Sequence, residues 1–486
     1  MSDHLKRKVL SGLLWRGLEL TGTQGMQFLI SLVLARLLLP KDFGTIALIS
    51  VFIEIASVIA ESGFGSALIQ KKDITAEDYC SVFYFNLMGT ILFYVVLFFA
   101  APGIAAFYDN PVLVGVLRVL ALSLVINAIG KIQATQLARE MNFKLTFKVG
   151  LAAVLASGAI GIGMAYAGFG LWSLIAAALG NAATKTLLLW FAVGWRPQRI
   201  YSWPAIRTLF GYSSKLLGSR LLNAVFGNIY TIIIGKLFNP TALGFYNRGQ
   251  SLPAMLVGTL NGTISGVMFS AFSSCQEDRT RVRDILRRTL KTTTFFVFPA
   301  LFGLAATAKP LVLVLLTEKW LPCVPYVQIA CITFAFWPIH VVNLQAVTAL
   351  GRSDIFLTLE IVKKAIIVVA ILITAPFGIM AMVIGQAATS MLCTVINAWP
   401  NRRLLGYTIP QQMRDVLPTF MLAAGMGLLT WGVGRSVQNA YLLLGAQIGL
   451  GLVVYLSGAL LFRFESAAYL LRVGRQTVME KFVGHA

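Results

Sequence analysis

Acidic residues, histidine and cysteine are all scarce in this chain of 486 residues, which holds 19 Asp and Glu, three His and five Cys. The cysteines, Cys80, Cys275, Cys323, Cys331 and Cys393, are scattered and odd in number, so neither a disulfide framework nor metal-ligand spacing emerges. No G-x-x-x-x-G-K-[ST] phosphate loop occurs, which removes an ATP-driven motor, and no cofactor is expected. Long hydrophilic stretches are missing as well. No loop on the side opposite the N-terminus exceeds roughly 20 residues, too few to bury a core of their own, so no soluble catalytic domain is expected. A glycan polymerase or ligase acting at an outer face would need a long loop bearing carboxylates, and "PGIAAFYDNP", "AGFG" and "TAPFG" hold almost none.

Charge in general is thin, at 12% of residues, whereas 57% are hydrophobic and the mean hydropathy is +0.78. Apolar runs of about 20 residues recur along the chain, each long enough to cross a hydrocarbon core of roughly 30 Å. The fold class expected is therefore all-α, a polytopic membrane protein. Apolar runs and turn signals place about fourteen helices at roughly residues 10–38, 44–66, 79–101, 112–133, 147–168, 170–193, 212–237, 241–270, 289–307, 323–349, 354–375, 378–399, 415–433 and 438–462. The basic then apolar start "MSDHLKRKVLSGLLWRGLEL" resembles a signal peptide, but Arg16 and Glu19 interrupt it and no small-residue cleavage site follows, so it reads as a retained first span.

The net charge of +21 suggests nucleic acid until the positions of the cations are considered. They concentrate in loops such as "HLKRK", "WRPQRIYSWPAIR" and "EDRTRVRDILRRTLK". Loops on the N-terminal side carry roughly 26 of the 40 Lys and Arg against about six opposite, which predicts both termini in the cytoplasm and no nucleic-acid partner.

The stretch "LARLLLPKDFG" at residues 34–44 returns as "IGKLFNPTALG" at 234–244, pairing Arg36 with Lys236, Pro40 with Pro240 and Gly44 with Gly244. Each copy joins the first two helices of a six-helix block. Six spans per block preserve orientation, so a parallel repeat is expected, with a site between the halves. The domains expected are a six-helix lobe at 1–195, a second at 196–405, and a terminal helix pair with a cytoplasmic tail at 406–486. Helical phase turns Arg36 about 200° from Arg16, and Lys236 about 100° from the face of Lys215, so both read as anchors at the membrane edge and not as ligands.

Ionisable groups within a bilayer are costly and face a cavity or a partner. In the first span Arg16, Glu19, Thr23 and Gln27 share a stripe about 80° wide. In the second, Ser50, Glu54, Ser57 and Glu61 repeat at steps of three and four. Arg16 pairs with Glu19 or Glu61, or serves a substrate; the pattern leaves both open. Arg118 and Lys185 have no carboxylate on their own helices and are candidate cavity cations. Lys215 and Asn223 share a face of the seventh span, with Arg220 to one side in reach of the headgroups, and Arg248 lies a turn or two inside the eighth. Glu360, Lys363 and Lys364 form an internal ion-pair set, and His340 is a core histidine or a proton relay. The cation excess suits an anionic substrate. The last two spans carry no central charge and read as a pair packed on the bundle or as a groove for a lipid tail.

The stretches "LARLLLPKDFGTIAL", "ESGFGSALIQKKDIT", "FYDNPVL", "QATQLAREMNFK" and "LTEKWLPCVPYVQIAC" resemble the polysaccharide transporter family, within the superfamily of multidrug, oligosaccharidyl-lipid and polysaccharide exporters, and look most like its colanic-acid type of lipid-linked oligosaccharide flippase. That resemblance implies two six-helix lobes plus a terminal pair, alternating access, and a bacterial inner-membrane location. It implies as substrate an undecaprenyl-pyrophosphate-linked oligosaccharide repeat unit, moved from the cytoplasmic to the periplasmic leaflet for exopolysaccharide, capsule or lipopolysaccharide assembly. It implies membrane lipids, a polysaccharide polymerase and chain-length proteins as partners, and no enzymatic activity. The family's cavity cations map in general terms onto Arg16, Arg118, Lys185 and Arg248. The substrate-binding set expected is thus Arg16, Glu19, Gln27, Glu54, Glu61, Arg118, Lys185, Lys215, Asn223 and Arg248. The alternatives are a cation-coupled exporter of another substrate in the same superfamily and, from another class, a membrane enzyme of glycan polymerisation or ligation.

Overall fold

Several helix starts follow local chemistry. Thr75 and Asp78 form a reciprocal capping box at the head of one long helix, Thr408 and Gln411 form another, and Asn142, Ser202 and Asp278 each cap a helix with a side-chain oxygen. The computed structural model describes residues 3–61, 63–273, 275, 277–434 and 439–465, apart from the side chains of 3–14, 16, 18–20, 212–216, 259–267, 269–271 and 273. Among the described residues there is no strand.

The helices are α1 (Asp3–Leu37), α2 (Pro40–Glu61), α3 (Phe64–Gln70), α4 (Ala76–Phe107), α5 (Val112–Leu120), α6 (Leu122–Ile129), α7 (Lys131–Arg139), α8 (Phe143–Tyr166), α9 (Leu171–Ala192), α10 (Trp203–Gly227), α11 (Ile229–Leu237), α12 (Pro240–Ser273) and α13 (Arg279–Leu316). After a 3₁₀ turn at Glu318–Cys323 come α14 (Val324–Ala335), α15 (Trp337–Ala349), α16 (Ser353–Thr374), α17 (Ile379–Ala398), α18 (Asn401–Leu405), α19 (Ile409–Val433) and α20 (Ala440–Leu461). Eleven of the described helices or helix runs are long and apolar enough to cross a membrane. α1, α12 and α16 fall where three further spans are expected. In α16 the charges Asp354, Glu360, Lys363 and Lys364 interrupt the apolar run.

Several expected spans are broken. The fourth is α5, α6 and α7, parted at Ala121 and Gly130, and the seventh is α10 and α11, parted at Asn228. The chain divides into two compact units, Met1–Asn247 and Arg248–Ala486.

In the first unit, α8 packs between α1 and α9 through glycines. A Cβ at Gly158 would lie 2.5 Å from Ile30 Cδ1, and one at Gly161 would lie 2.8 Å from the Ala177 Cβ. Small residues at such positions let membrane helices approach closely. α10 and α11 pack on α2, and α10 also on α3 and α4. The repeated hairpins touch each other. A Cβ at Gly44 would stand 1.8 Å from the Pro240 carbonyl oxygen, and one at Gly244 would stand 2.0 Å from that of Pro40. Lys236 is more than an edge anchor: it donates to the Phe107 carbonyl and meets Asp109 Oδ2 at 3.3 Å, tying the second copy to the α4–α5 loop.

In the second unit α13 is the central strut. Phe298 and Phe302 of α13 pack edge-on to Phe420 of α19, with ring centroids 5.7 and 5.3 Å away. The Tyr455 hydroxyl of α20 donates to the Phe295 carbonyl at 2.7 Å, so the terminal pair α19–α20 is seated on α13. A buried amide cluster lies beside it. Asn343 Nδ2 donates to Gln412 Oε1 at 3.0 Å, and Asn401 Nδ2 donates to Asn343 Oδ1 at 2.8 Å. Lys363 meets Glu360 at 2.5 Å and Lys364 meets it at 3.7 Å, one carboxylate shared by two ammonium groups.

Candidate functional site

The end of α2 builds one wall of a cavity. Ser57 and Glu61 sit one helical turn apart, and Ser57 Oγ donates to Glu61 Oε1 at 3.4 Å. The chain then turns through Gly63, whose φ of 77° is open to glycine at little cost, and α3 folds away with Gly65 and Ser66 facing the space left. α3 is held by Arg139 at the end of α7. Its Nη1 donates to the carbonyls of Leu68 and Lys71 at 3.0 and 2.8 Å, and Nη2 donates to that of Lys72 at 2.7 Å. These are carbonyls in and just after the last turn of α3, a helix end where a cation is favoured.

With α7 fixed against α3, its first residue, Lys131, reaches Glu61 Oε2 at 2.6 Å. α9 closes another side: Thr186 Oγ1 donates to the Ile126 carbonyl at 2.9 Å and Trp190 Nε1 donates to that of Ile129 at 3.0 Å. Those bonds register α9 on the α6–α7 junction and present the neighbouring Lys185 to the cavity. α10 contributes Arg220, whose Nη2 donates to Ser66 Oγ at 2.9 Å, and α4 contributes Asn86 and Thr90.

The cavity measures 490 Å³ and lies wholly within the Met1–Asn247 unit. Among the described residues its ionisable lining is three cations, Lys131, Lys185 and Arg220, against the carboxylate of Glu61. Both members of the Lys131–Glu61 pair are about one-third exposed, so the pair contributes no more than about 1 kcal/mol. It neutralises one cation and leaves two. Lys185 makes no hydrogen bond or ion pair among the described residues. Asn86 is 3% exposed, and its buried Oδ1 has no partner. A buried amide oxygen without a partner among the described residues and an unmatched ammonium in one lining make a polar cradle with capacity to spare. Together with the hydroxyls of Ser57, Thr90 and Thr135, the lining suits an anionic group joined to a hydroxyl-rich one.

The ten residues expected from sequence scatter. Glu61 and Lys185 line the cavity. Glu54 is exposed one to two turns back on α2 and accepts from Asn228 Nδ2 at 3.0 Å. Arg118 is not in the lining of this cavity: Nε donates to the Phe98 carbonyl at 3.1 Å and the guanidinium lies 4.1 Å from the Phe98 ring centroid, a clamp between α5 and α4. Gln27 and Asn223 are exposed and away from the cavity lining. Arg248 belongs to the second unit, 6% exposed, with its guanidinium 5.9 Å from the Trp320 ring centroid. The side chains of Arg16, Glu19 and Lys215 lie outside the described residues. Among the described residues the partner found for Glu61 is Lys131, 70 positions away in sequence; Arg16, which the sequence offered to Glu19, to Glu61 or to a substrate, has its side chain outside them. Arg220, expected at the headgroups, faces the cavity. The sequence does carry a sign of this wall, since Asn127, Lys131 and Thr135 repeat at steps of four in "NAIGKIQAT", one face of a helix run.

Residues 33–325 match a family model described as polysaccharide biosynthesis protein. The teichuronic acid biosynthesis protein TuaB of Bacillus subtilis (strain 168) is 25% identical over 434 residues, covering 86% of this chain and 88% of that protein. The succinoglycan biosynthesis transport protein ExoT of Rhizobium meliloti (strain 1021) is 25% identical over 451 residues, covering 91% and 90%. Among solved structures, the lipid II flippase MurJ in an inward closed conformation superposes with a TM-score of 0.74 at 15% identity, covering 93% of this chain and 99% of that one, a likeness of fold.

Proposed function

We propose a transport function on the premise that the chain belongs to the polysaccharide biosynthesis protein family. The protein is a flippase that moves undecaprenyl-pyrophosphate-linked oligosaccharide repeat units from the cytoplasmic to the periplasmic leaflet by alternating access. Its moving bodies are the lobes 1–195 and 196–405, with 406–486 as an accessory pair, fourteen spans in all and both termini cytoplasmic. The observation that carries this reading is the cavity with two more cations than carboxylates, in which Lys185 has no counter-charge among the described residues. A pyrophosphate supplies that counter-charge, and sugar hydroxyls match Asn86, Thr90 and Thr135. With the N-terminus in the cytoplasm, Glu61 ends one inward-running helix and Lys131 follows the end of another, α6, so the cavity lies on the side from which a cytoplasmic precursor enters. Differential affinity of the two states for substrate then biases the cycle. The names of ExoT and MurJ support transport over synthesis, and so does a lining with one carboxylate already held by Lys131.

The test is reconstitution with a labelled undecaprenyl-pyrophosphate oligosaccharide. Proteoliposomes are expected to move label across the bilayer faster than empty vesicles, and Lys185→Ala is expected to weaken substrate retention on the order of tenfold, the loss of one charge-assisted contact. Movement equal to that of empty vesicles, under proton and sodium gradients alike, would sink the reading.

A further inference from the structure

A second cavity, of 730 Å³, lies in the Arg248–Ala486 unit between α13, α19 and the end of α20. Its two ends differ in chemistry. α19 and α20 are successive helices packed together, so the second turn of α19 and the residues just after α20 share one end. There Lys291 of α13 meets Asp415 at 3.1 Å and Glu465 at 2.9 Å, and Arg287 meets Asp415 at 2.8 Å. Both carboxylates are thereby matched. Arg414 and Arg463, both exposed at the same end, make no side-chain hydrogen bond or ion pair among the described residues. Away from that end the walls turn apolar, with Met421, Leu422, Gly425 and Leu429 of α19 facing Val454 of α20.

We infer that this groove binds an anionic glycerophospholipid, with its phosphate between Arg414 and Arg463 and an acyl chain along the α19 wall. Guanidinium groups meet phosphate oxygens in a bidentate geometry, and the carboxylates that would repel a phosphate are already held by Lys291 and Arg287. From Met421 to Leu429 the apolar wall rises about 12 Å. One leaflet of hydrocarbon is about 15 Å deep. The wall therefore suits a chain belonging to a single leaflet. Leu429, Leu452 and Val453 are exposed on the outer surfaces of the same helices, which opens the groove sideways to hydrocarbon. A zwitterionic lipid brings its own cation towards the two arginines and binds less well. The site shares no residue with the cavity around Lys185, and its test is independent of transport.

The experiment uses the delipidated full chain in detergent, titrated with phosphatidylglycerol, phosphatidylcholine or inorganic phosphate, and read by native mass spectrometry and by thermal unfolding. Phosphatidylglycerol is expected to be retained and to raise the melting temperature, with phosphatidylcholine and phosphate doing neither at the same concentration. The double variant Arg414→Gln with Arg463→Gln should lower phosphatidylglycerol affinity on the order of thirtyfold, at about fivefold for each basic group near an anionic headgroup. Arg402→Gln with Arg403→Gln, both exposed on α18, should leave it unchanged. Gly425 lines the groove, and a Cβ there meets nothing within 4 Å. Gly425→Leu therefore starts from an unobstructed Cβ, places its side chain in the acyl wall and should also lower affinity while keeping both arginines. Wild-type affinity in the arginine double variant or in Gly425→Leu overturns the assignment. So does equal retention of phosphatidylcholine, or equal stabilisation by phosphate alone.

Discussion

Replacing Gly44 by alanine adds one carbon where the structure has no room for it. The new Cβ would fall 1.8 Å from the Pro240 carbonyl oxygen, and ordinary contact begins at 3.4 Å, so the two hairpins must part by about 1.6 Å. The obstacle is backbone, which has no rotamer to change. In a helix with open surroundings the same substitution is favourable by up to about 1 kcal/mol through propensity. Gly115 in α5 provides that reference, because a Cβ there meets nothing within 4 Å. Overpacking costs about 1–3 kcal/mol where side chains can yield, and the upper part of that range applies here. Net of propensity, Gly44→Ala should cost about 2 kcal/mol. For a unit of this size each kcal/mol shifts the melting temperature by about 2–4 °C, so a fall of about 4–8 °C is expected, against a small rise for Gly115→Ala. The assay is thermal unfolding of both variants in one detergent. A Gly44→Ala protein that melts at or above wild type would refute the close crossing. Gly244→Ala, facing the Pro40 oxygen at 2.0 Å, should behave alike.

Two further outcomes follow from other parts of the fold. Arg139→Ala removes three bonds to carbonyls at and just after the end of α3 and should cost about 2–3 kcal/mol by thermal unfolding, with Arg139→Lys recovering only part, since an ammonium does not span three carbonyls. Asn343→Leu leaves the buried amides of Gln412 and Asn401 without their shared partner and should cost about 2–4 kcal/mol; a melting temperature within one degree of wild type would show that the cluster is dispensable.

What could be read from sequence was whatever is local. Apolar length located the helices, and Pro40/Gly44 and Pro240/Gly244 marked two hairpins that prove to press on one another. The family-like stretches around Gly63–Lys72 and Gln133–Lys144 looked like separate motifs, and they meet through Arg139. Breaks at Ala121 and Asn228 were illegible, because no proline stands there and apolar composition runs straight through them. The cavity was half visible. Glu61 and Lys185 stood out as costly charges within spans, but Lys131 lay at the margin of a loop, and nothing in sequence links it to a carboxylate 70 positions earlier. Arg118 is a different case: it has no carboxylate on its own helix, and a carbonyl and an aromatic face of α4 meet it instead.

α2 runs unbroken from Pro40 to Glu61. Its fourth residue past the start is wedged against the Pro240 carbonyl, and its last is a cavity carboxylate bound to Lys131. The 17 positions between Gly44 and Glu61 span about 25 Å of α-helix, a rod with no hinge of its own. The two ends are therefore not separate parts. A tilt that lifts the glycine off the carbonyl also carries the carboxylate relative to its lysine, and an anion that draws the lysine away acts on the same lever from the other arm.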